Sequence, residues 1–215
     1  MAKKIENKIT IVGCGPGAKK YLTGYAIQQI NNADVLIGSR RLLSLFSDTE
    51  VDTYILNKNY KLLITRIVSL SKSKRVVVLV SGDPGFYSYG KLIINKVGIE
   101  NCDVIPGISS VQLAFAKIGR SWNDVCFMSL HGRAGRFATV IKNVRENDKV
   151  AILTDNSNNV TVIAKKLLEE GLKDRKIFVC ENLSLAQERI REFDVTSILK
   201  IRVSDLNVII ILDED

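Results

Sequence analysis

Few residues in this chain are able to do covalent chemistry. There is one histidine, His131, and there are four widely spaced cysteines, Cys14, Cys102, Cys126 and Cys180. No C-x-x-C spacing joins them, so neither a protein-bound metal nor a disulfide framework is expected. No serine or cysteine pairs in sequence with an evident base, which argues against a covalent enzyme intermediate. His131 stands in Ser129-Leu130-His131-Gly132-Arg133, a corner after a strand-like run. There it could orient a substrate or accept a proton, and it could equally serve packing alone.

What recurs instead is a corner of glycine and proline. All three prolines sit in such corners, after aliphatic runs: Ile11-Val12-Gly13-Cys14-Gly15-Pro16-Gly17, Val80-Ser81-Gly82-Asp83-Pro84-Gly85-Phe86, and Val104-Ile105-Pro106-Gly107-Ile108-Ser109-Ser110. Proline fixes φ, and glycine tolerates conformations and approaches closed to other residues, so each is a rigid turn at a strand end. Ligands of open α/β sheets bind outside the carboxyl ends of strands, so the three corners are expected to build one ligand trough. Local chemistry offers alternatives. Asp83 before Pro84 is a good cap for a helix starting at that proline, and Ser109 and Ser110 are good caps for the next. Cys14, within the first corner, is the thiol placed to approach a ligand. Gly13 to Ala18 also satisfies the G-x-G-x-x-A pattern, and Gly38-Ser39-Arg40-Arg41 would suit a 2′-phosphate, which leaves an NADP-dependent reductase open. Pro16 fits that poorly, because it removes an N–H that the pyrophosphate would use.

The corners need elements to carry them. Strand-like runs at 8–12, 35–37, 53–56, 75–80 and 103–105 alternate with apolar residues at helical spacing: Leu22, Ala26, Ile30; Leu62, Ile67, Leu70; Leu92, Ile93, Val97. This is the alternation of a parallel sheet, with strands buried on both faces. A helix is expected over 109–118, then a polar break at Gly119-Arg120-Ser121-Trp122-Asn123-Asp124. A second α/β set follows, with strands at 125–130, 150–153, 177–179 and 208–212 and a clear helix at 160–169. The expected organisation is an α/β domain over 1–110, a linker region over 111–124 and a second α/β domain over 125–215.

At 215 residues and 46% apolar, the chain can bury a real core. Its longest apolar runs are strand-length, and the start, Met-Ala-Lys-Lys-Ile-Glu, lacks the apolar stretch of a signal peptide, so a cytoplasmic protein is expected. Net charge is +8 and uneven: residues 1–107 hold 15 lysines and arginines against 8 aspartates and glutamates, residues 108–215 hold 16 against 15. The basic residues are dispersed rather than clustered with aromatics, which favours an acidic small molecule over nucleic acid. An anion-binding module without catalysis is a third possibility.

Taken together, the three corners and their spacing resemble the tetrapyrrole (corrin/porphyrin) methylase family, over almost the full chain. Further likeness lies in Ile108-Ser109-Ser110-Val111-Gln112-Leu113-Ala114-Phe115-Ala116, Trp122-Asn123-Asp124, Ser129-Leu130-His131-Gly132-Arg133, Ala151-Ile152-Leu153-Thr154-Asp155-Asn156, Glu181-Asn182-Leu183 and Glu188-Arg189-Ile190. These match the branch that methylates C5 of a cobalt-containing corrinoid in anaerobic cobalamin biosynthesis. The resemblance implies two α/β domains of non-Rossmann type with the ligand trough between them, S-adenosylmethionine as methyl donor and no protein-bound metal. It implies a donor site of Gly13, Gly15, Pro16, Gly17, Gly82, Asp83, Phe86, Ser109, Ser110, Thr154 and Leu183. Arg133 and Arg136 become candidates for the substrate carboxylates, and His131 for the catalytic role. A homodimer is implied, as is functional pairing with a separate decarboxylating C15-methyltransferase, with neither nucleic acid nor membrane as partner. The sequence departs from the family's pattern at Ala18-Lys19-Lys20 and at Ser184, where glycine is expected.

Overall fold

The computed structural model describes residues 7–56, 60–130 and 137–213. The chain divides into two compact units, Met1–Ser109 and Ser110–Asp215.

In the first unit, β1 (Ile9–Gly13), β2 (Val35–Gly38), β3 (Asp52–Ile55), β4 (Val76–Val80) and β5 (Cys102–Ile105) form a parallel sheet in the order β3-β2-β4-β1-β5. They are connected by α1 (Gly24–Asn31), α2 (Arg40–Leu43), α3 (Tyr60–Leu70) and α4 (Gly90–Val97). All five residues of β4, Val-Val-Val-Leu-Val, are buried, as a strand covered on both faces requires. Alternate residues feed separate clusters. Ile9, Ile11, Val76 and Val78 pack with Leu63 and Ile67 of α3 and Ile93 and Val97 of α4. Val12, Cys14, Val77 and Leu79 pack with Ala26 and Ile30 of α1 and Leu42 of α2. Helix starts are capped locally, with Thr23 accepting from the Ala26 N–H at 3.1 Å and Ser39 from Leu42 at 3.3 Å. Two expected core residues face out instead: Leu62 and Leu92 are exposed, and their neighbours Leu63 and Ile93 take the buried positions. Gly13 lies opposite Val80 and Val12 opposite Ile105, so the three adjacent strands β4, β1 and β5 end level.

This order rules out the dinucleotide reading. A Rossmann sheet sets β1 beside β2, whereas here β4 lies between them. The G-x-G-x-x-A segment also fails to open a helix. A single 3-10 turn, Lys19–Tyr21, follows it, and α1 begins only at Gly24. No helix N-terminus is therefore aimed from that loop at a pyrophosphate.

The second unit contains α5 (Ser110–Ile118), β6 (Cys126–Ser129), α6 (Phe137–Glu146), β7 (Lys149–Leu153), α7 (Val160–Glu169), β8 (Arg175–Glu181), β9 (Arg189–Asp194) and β10 (Asn207–Asp213). The sheet order is β6-β7-β10-β8-β9, with β6 and β7 parallel and the other pairs antiparallel. Val140, Val144, Ile163 and Leu167 of α6 and α7 pack against Val150, Ile152, Ile177 and Ile209 on one face. Residues 111–124, expected as a linker, hold α5 and the turn after it and group with this unit; α5 lies against β10. The edge strand β9 was not foreseen. Its sequence, Arg-Ile-Arg-Glu-Phe-Asp, is charged in the manner of a protected sheet edge and carries little apolar signal. No described helix is long and apolar enough to cross a membrane.

Candidate functional site

The three corners of the first unit bind one another before they bind anything else. Gly15 and Gly82 form a two-way bridge: the Gly82 N–H donates to the Gly15 carbonyl at 2.8 Å and the Gly15 N–H to the Gly82 carbonyl at 3.2 Å. The Cys14 N–H donates to the Val80 carbonyl at 2.8 Å. A Cβ on Gly13 would stand 2.6 Å from Gly107 N and 2.7 Å from Gly82 O, and one on Gly107 would stand 2.5 Å from the carbonyl oxygens of both Gly13 and Gly82. Gly13 and Gly107 are therefore glycines because backbone meets backbone, not because a ligand must come close. Gly82 differs, since a Cβ there would meet nothing nearer than Ser109 Cα at 3.6 Å. Its need for glycine lies in its φ of +63°.

Asp83 closes the knot. Its Oδ1 accepts the Gly85 N–H at 2.7 Å and its Oδ2 accepts the Gly107 N–H at 3.1 Å, across 24 residues of sequence. It does not cap a helix at Pro84 as expected: the chain turns at Pro84-Gly85, and α4 starts only at Gly90. Phe86 donates its N–H to the Asp83 carbonyl at 3.1 Å, and its half-buried ring meets Tyr87 edge-on, with centroids 4.9 Å apart. Gly13, Gly15, Pro16 and Gly17 are buried, while Ser81 and Gly85 are exposed. Ser109 is buried at the end of the third corner and Ser110 opens α5.

Cys14 is not a ligand-facing thiol. It is fully buried in the apolar cluster under α1, with its Sγ toward the Val12 carbonyl at 3.7 Å. Burial pushes the thiol up to about 12, against smaller opposing effects of the Val80 backbone and the Arg41 guanidinium, so it stays neutral. Beside it, Arg41 Nη2 donates to Ser81 Oγ at 2.9 Å, a contact that links the ends of β2 and β4 and that sequence reading missed.

In the second unit, the Thr154 hydroxyl donates to Asn207 Oδ1 at 2.8 Å, tying the end of β7 to the start of β10. Asp155 Oδ1 accepts the N–H groups of Ser157 at 3.0 Å and Asn158 at 2.7 Å, shaping the entry to α7. Leu183 is buried just past β8. The loop around it is organised by Glu181, whose carboxylate is fully buried yet fully paired. Arg189 holds both its oxygens at 2.8 Å, Arg191 reaches it at 2.9 Å, and the Ser204 N–H donates to it at 2.8 Å. Burial opposes its ionisation, but these hydrogen bonds outweigh that and hold the carboxyl below its ordinary range. The Glu181-Asn182-Leu183 and Glu188-Arg189-Ile190 segments thus work as a pair of locks, since Glu188 Oε2 also accepts the Ser184 N–H at 2.7 Å. Ser184 has φ of +71°, which explains why glycine was expected there. His131, Arg133 and Arg136 lie outside the described residues. Among the described residues no cluster of three or more His, Cys, Asp or Glu could hold a metal ion.

Comparison with known proteins agrees with this architecture. The sequence profile of the Tetrapyrrole (Corrin/Porphyrin) Methylases matches residues 8–199. The chain is 34% identical over 206 residues to a cobalt-precorrin-7 C(5)-methyltransferase of Salmonella typhimurium, spanning 96% of this chain and 99% of that one. It is 38% identical over 190 residues to a probable cobalt-precorrin-7 C(5)-methyltransferase of Methanocaldococcus jannaschii, spanning 85% and 87%. The solved uroporphyrin-III C-methyl transferase of Thermus thermophilus, complexed with S-adenosylhomocysteine, matches with a TM-score of 0.74 at 21% identity, over 95% of this chain and 92% of that one. That last likeness is one of fold. With the profile match running from β1 into the final loop before β10, the chain belongs to the tetrapyrrole (corrin/porphyrin) methylases.

Proposed function

We propose that this protein transfers a methyl group from S-adenosylmethionine to C5 of cobalt-precorrin-7, in anaerobic cobalamin biosynthesis. The observation that carries the proposal is the near full-length similarity to relatives bearing that activity in their names, at 34% and 38% identity. S-adenosylmethionine, when bound, supplies a methyl group already activated on a sulfonium, so no enzyme nucleophile has to form a covalent intermediate.

What the chain contributes is position. In-line geometry and exclusion of water can account for several kcal/mol of barrier, up to about 7–11 in the best-oriented cases. The corners of the first unit suit that task, because their mutual hydrogen bonds fix them before any ligand arrives. Asp83, half-exposed and held by two amides, and the ring of Phe86 are the groups this platform offers a donor. The proposed donor site comprises Gly13, Gly15, Pro16, Gly17, Gly82, Asp83, Phe86, Ser109 and Ser110, with Thr154 and Leu183 from the second unit. Arg133 and Arg136 take substrate carboxylates in this proposal, and His131 orients the corrinoid or takes up a proton. The working form is a cytoplasmic homodimer, acting beside a separate decarboxylating C15-methyltransferase.

The deciding experiment is calorimetric titration with S-adenosylmethionine and, separately, with NADPH, followed by methyl transfer to the corrinoid. Binding of the first alone, with a product heavier by one methyl group, is expected. Heat from NADPH alone would overturn the proposal. Within it, His131→Ala is expected to lower turnover roughly 10²-fold, the scale of a positioned acid–base group, with donor affinity unchanged. Turnover near that of the parent enzyme would make His131 structural.

A further inference from the structure

Among the described residues of the first unit, one guanidinium is half-buried with no anion to match it. Arg41 is half-buried at the carboxyl end of the parallel sheet, in the short helix α2 that Ser39 caps. Its Nη2 meets the Ser81 hydroxyl, but its Nη1 is buried without a hydrogen-bond partner among the described residues. The other described arginines are either exposed, as Arg40 and Arg66 are, or paired with a carboxylate. Arg75 pairs with Asp34, Arg145 with Glu170, Arg175 with Asp213, and Arg189 with Glu181. No carboxylate lies within ion-pair distance of Arg41 among the described residues. Ser81 carries no charge, and the Cys14 thiol is kept neutral by burial. Burial also pulls the Arg41 pKa down, the direction expected of a cation stripped of water without a counter-charge. An unpaired, desolvated charge is costly to a fold, so its retention points to a ligand that brings the anion.

The position says which ligand. Ser81 directly precedes Gly82, whose N–H and carbonyl lock the first corner to the second. A guanidinium offers parallel N–H donors in a plane that match a carboxylate or a phosphate, and of these the ligands of the proposed reaction carry the carboxylate. We propose that Arg41 is a carboxylate-binding residue: steered by Ser81, it receives on Nη1 a carboxylate of the methyl donor or of the corrinoid. This rests on the methyltransferase function proposed above, whose two ligands both carry carboxylates.

The test uses Arg41→Met and Arg41→Lys in the full chain, titrated with two acid–analogue pairs. One pair is S-adenosylhomocysteine and its decarboxylated analogue; the other is cobyrinic acid and its heptamethyl ester. Arg41→Met is expected to weaken one of the two acids by roughly ten- to a hundredfold, the effect of losing a charged hydrogen bond, while its neutralised analogue binds as it does to the parent protein. Which acid responds identifies the source of the carboxylate. Arg41→Lys keeps the charge without the fork and is expected to fall between. The ligand-free melting temperature of Arg41→Met should hold or rise, because an uncompensated buried charge is gone. Unchanged affinity for both acids, or an equal loss for acid and analogue, would overturn the assignment of Arg41 alone. Failure of the parent protein to bind either acid would instead sink the methyltransferase function, and this inference with it. If Arg41→Met does not fold, the lysine variant carries the same comparison.

Discussion

The corner knot of the first unit and the loop that follows β8 in the second solve the same problem with opposite chemistry. Each must hold irregular backbone in a fixed shape at the end of a sheet. The knot does it by omitting side chains, so that Gly13, Gly15, Gly82 and Gly107 place backbone against backbone. The loop does it with side chains, anchoring itself on one buried carboxylate and two arginines, and it keeps Asn182 and Ser184 in left-handed conformations without glycine. The first solution rests chiefly on uncharged backbone groups and leaves no room for an added atom at Gly13 or Gly107. The second tolerates bulk and depends on ionisation.

Removing the carboxylate should give the largest effect. Glu181→Ala takes the shared acceptor from Arg189, Arg191 and the Ser204 N–H. Arg189 is half-exposed and can turn to water, so the cost is that of the lost hydrogen bonds to a charged group, about 1.5–3 kcal/mol each, readable as a lowered urea midpoint. The same network sets a pH dependence. Glu181 is held below its ordinary range in the folded state, so its contribution is complete above that range and is lost as pH falls through the lower, folded value. Chemical denaturation across pH 3 to 6 should therefore show the parent protein losing more stability on acidification than Glu181→Gln. Parallel curves would deny the loop its electrostatic character.

Gly107→Ala comes next. A methyl group set 2.5 Å from two carbonyl oxygens cannot be relieved by rotating a side chain. Overpacking of this kind costs about 1–3 kcal/mol, and rigid backbone on both sides favours the upper end. A stable, well-folded Gly107→Ala protein would mean the corners are looser than their hydrogen bonds imply. The smallest effect is a gain. Ser184→Gly relieves a left-handed residue of roughly 1–2 kcal/mol of strain but adds about 0.5–1 kcal/mol of unfolded-state entropy, for a net stabilisation of about 0–1.5 kcal/mol. A loss of stability there would show that the hydroxyl carries more than the conformation costs.

Local patterns in the sequence were legible where one element sufficed to produce them. The strand before each corner, the helix Val160–Glu169 and the adjacency of the three corners all follow from short-range apolar periodicity and punctuation. What escaped was decided at long range. Asp83-Pro84 reads locally as a helix start, but its carboxylate is taken by Gly107, 24 residues away. Cys14 lies two residues beyond Val12 on the same face, so strand periodicity carried past Gly13 would have buried it. β9 is recognised only by pairing with β8, since an edge strand of alternating charge looks like a solvated turn. Gly38-Ser39-Arg40-Arg41 suggests a 2′-phosphate site, and nothing in it announces Ser81, 40 residues on, as the partner of Arg41.

The reciprocal Gly15–Gly82 bridge also changes how the corners should behave in time. Loops at the mouth of a sheet ordinarily open and close far more often than the strands beneath them, and their amides exchange with solvent accordingly. Here the Gly15 and Gly82 amides are bonded as in a ladder, and the Cys14 amide continues the pairing with Val80. Their deuterium uptake should follow the slow clock of β1 and β4, opening only when the whole unit unfolds. A surface that stays closed on that clock presents one shape to every arriving molecule, so ligands would meet it at rates set by diffusion and fit rather than by waiting for a loop.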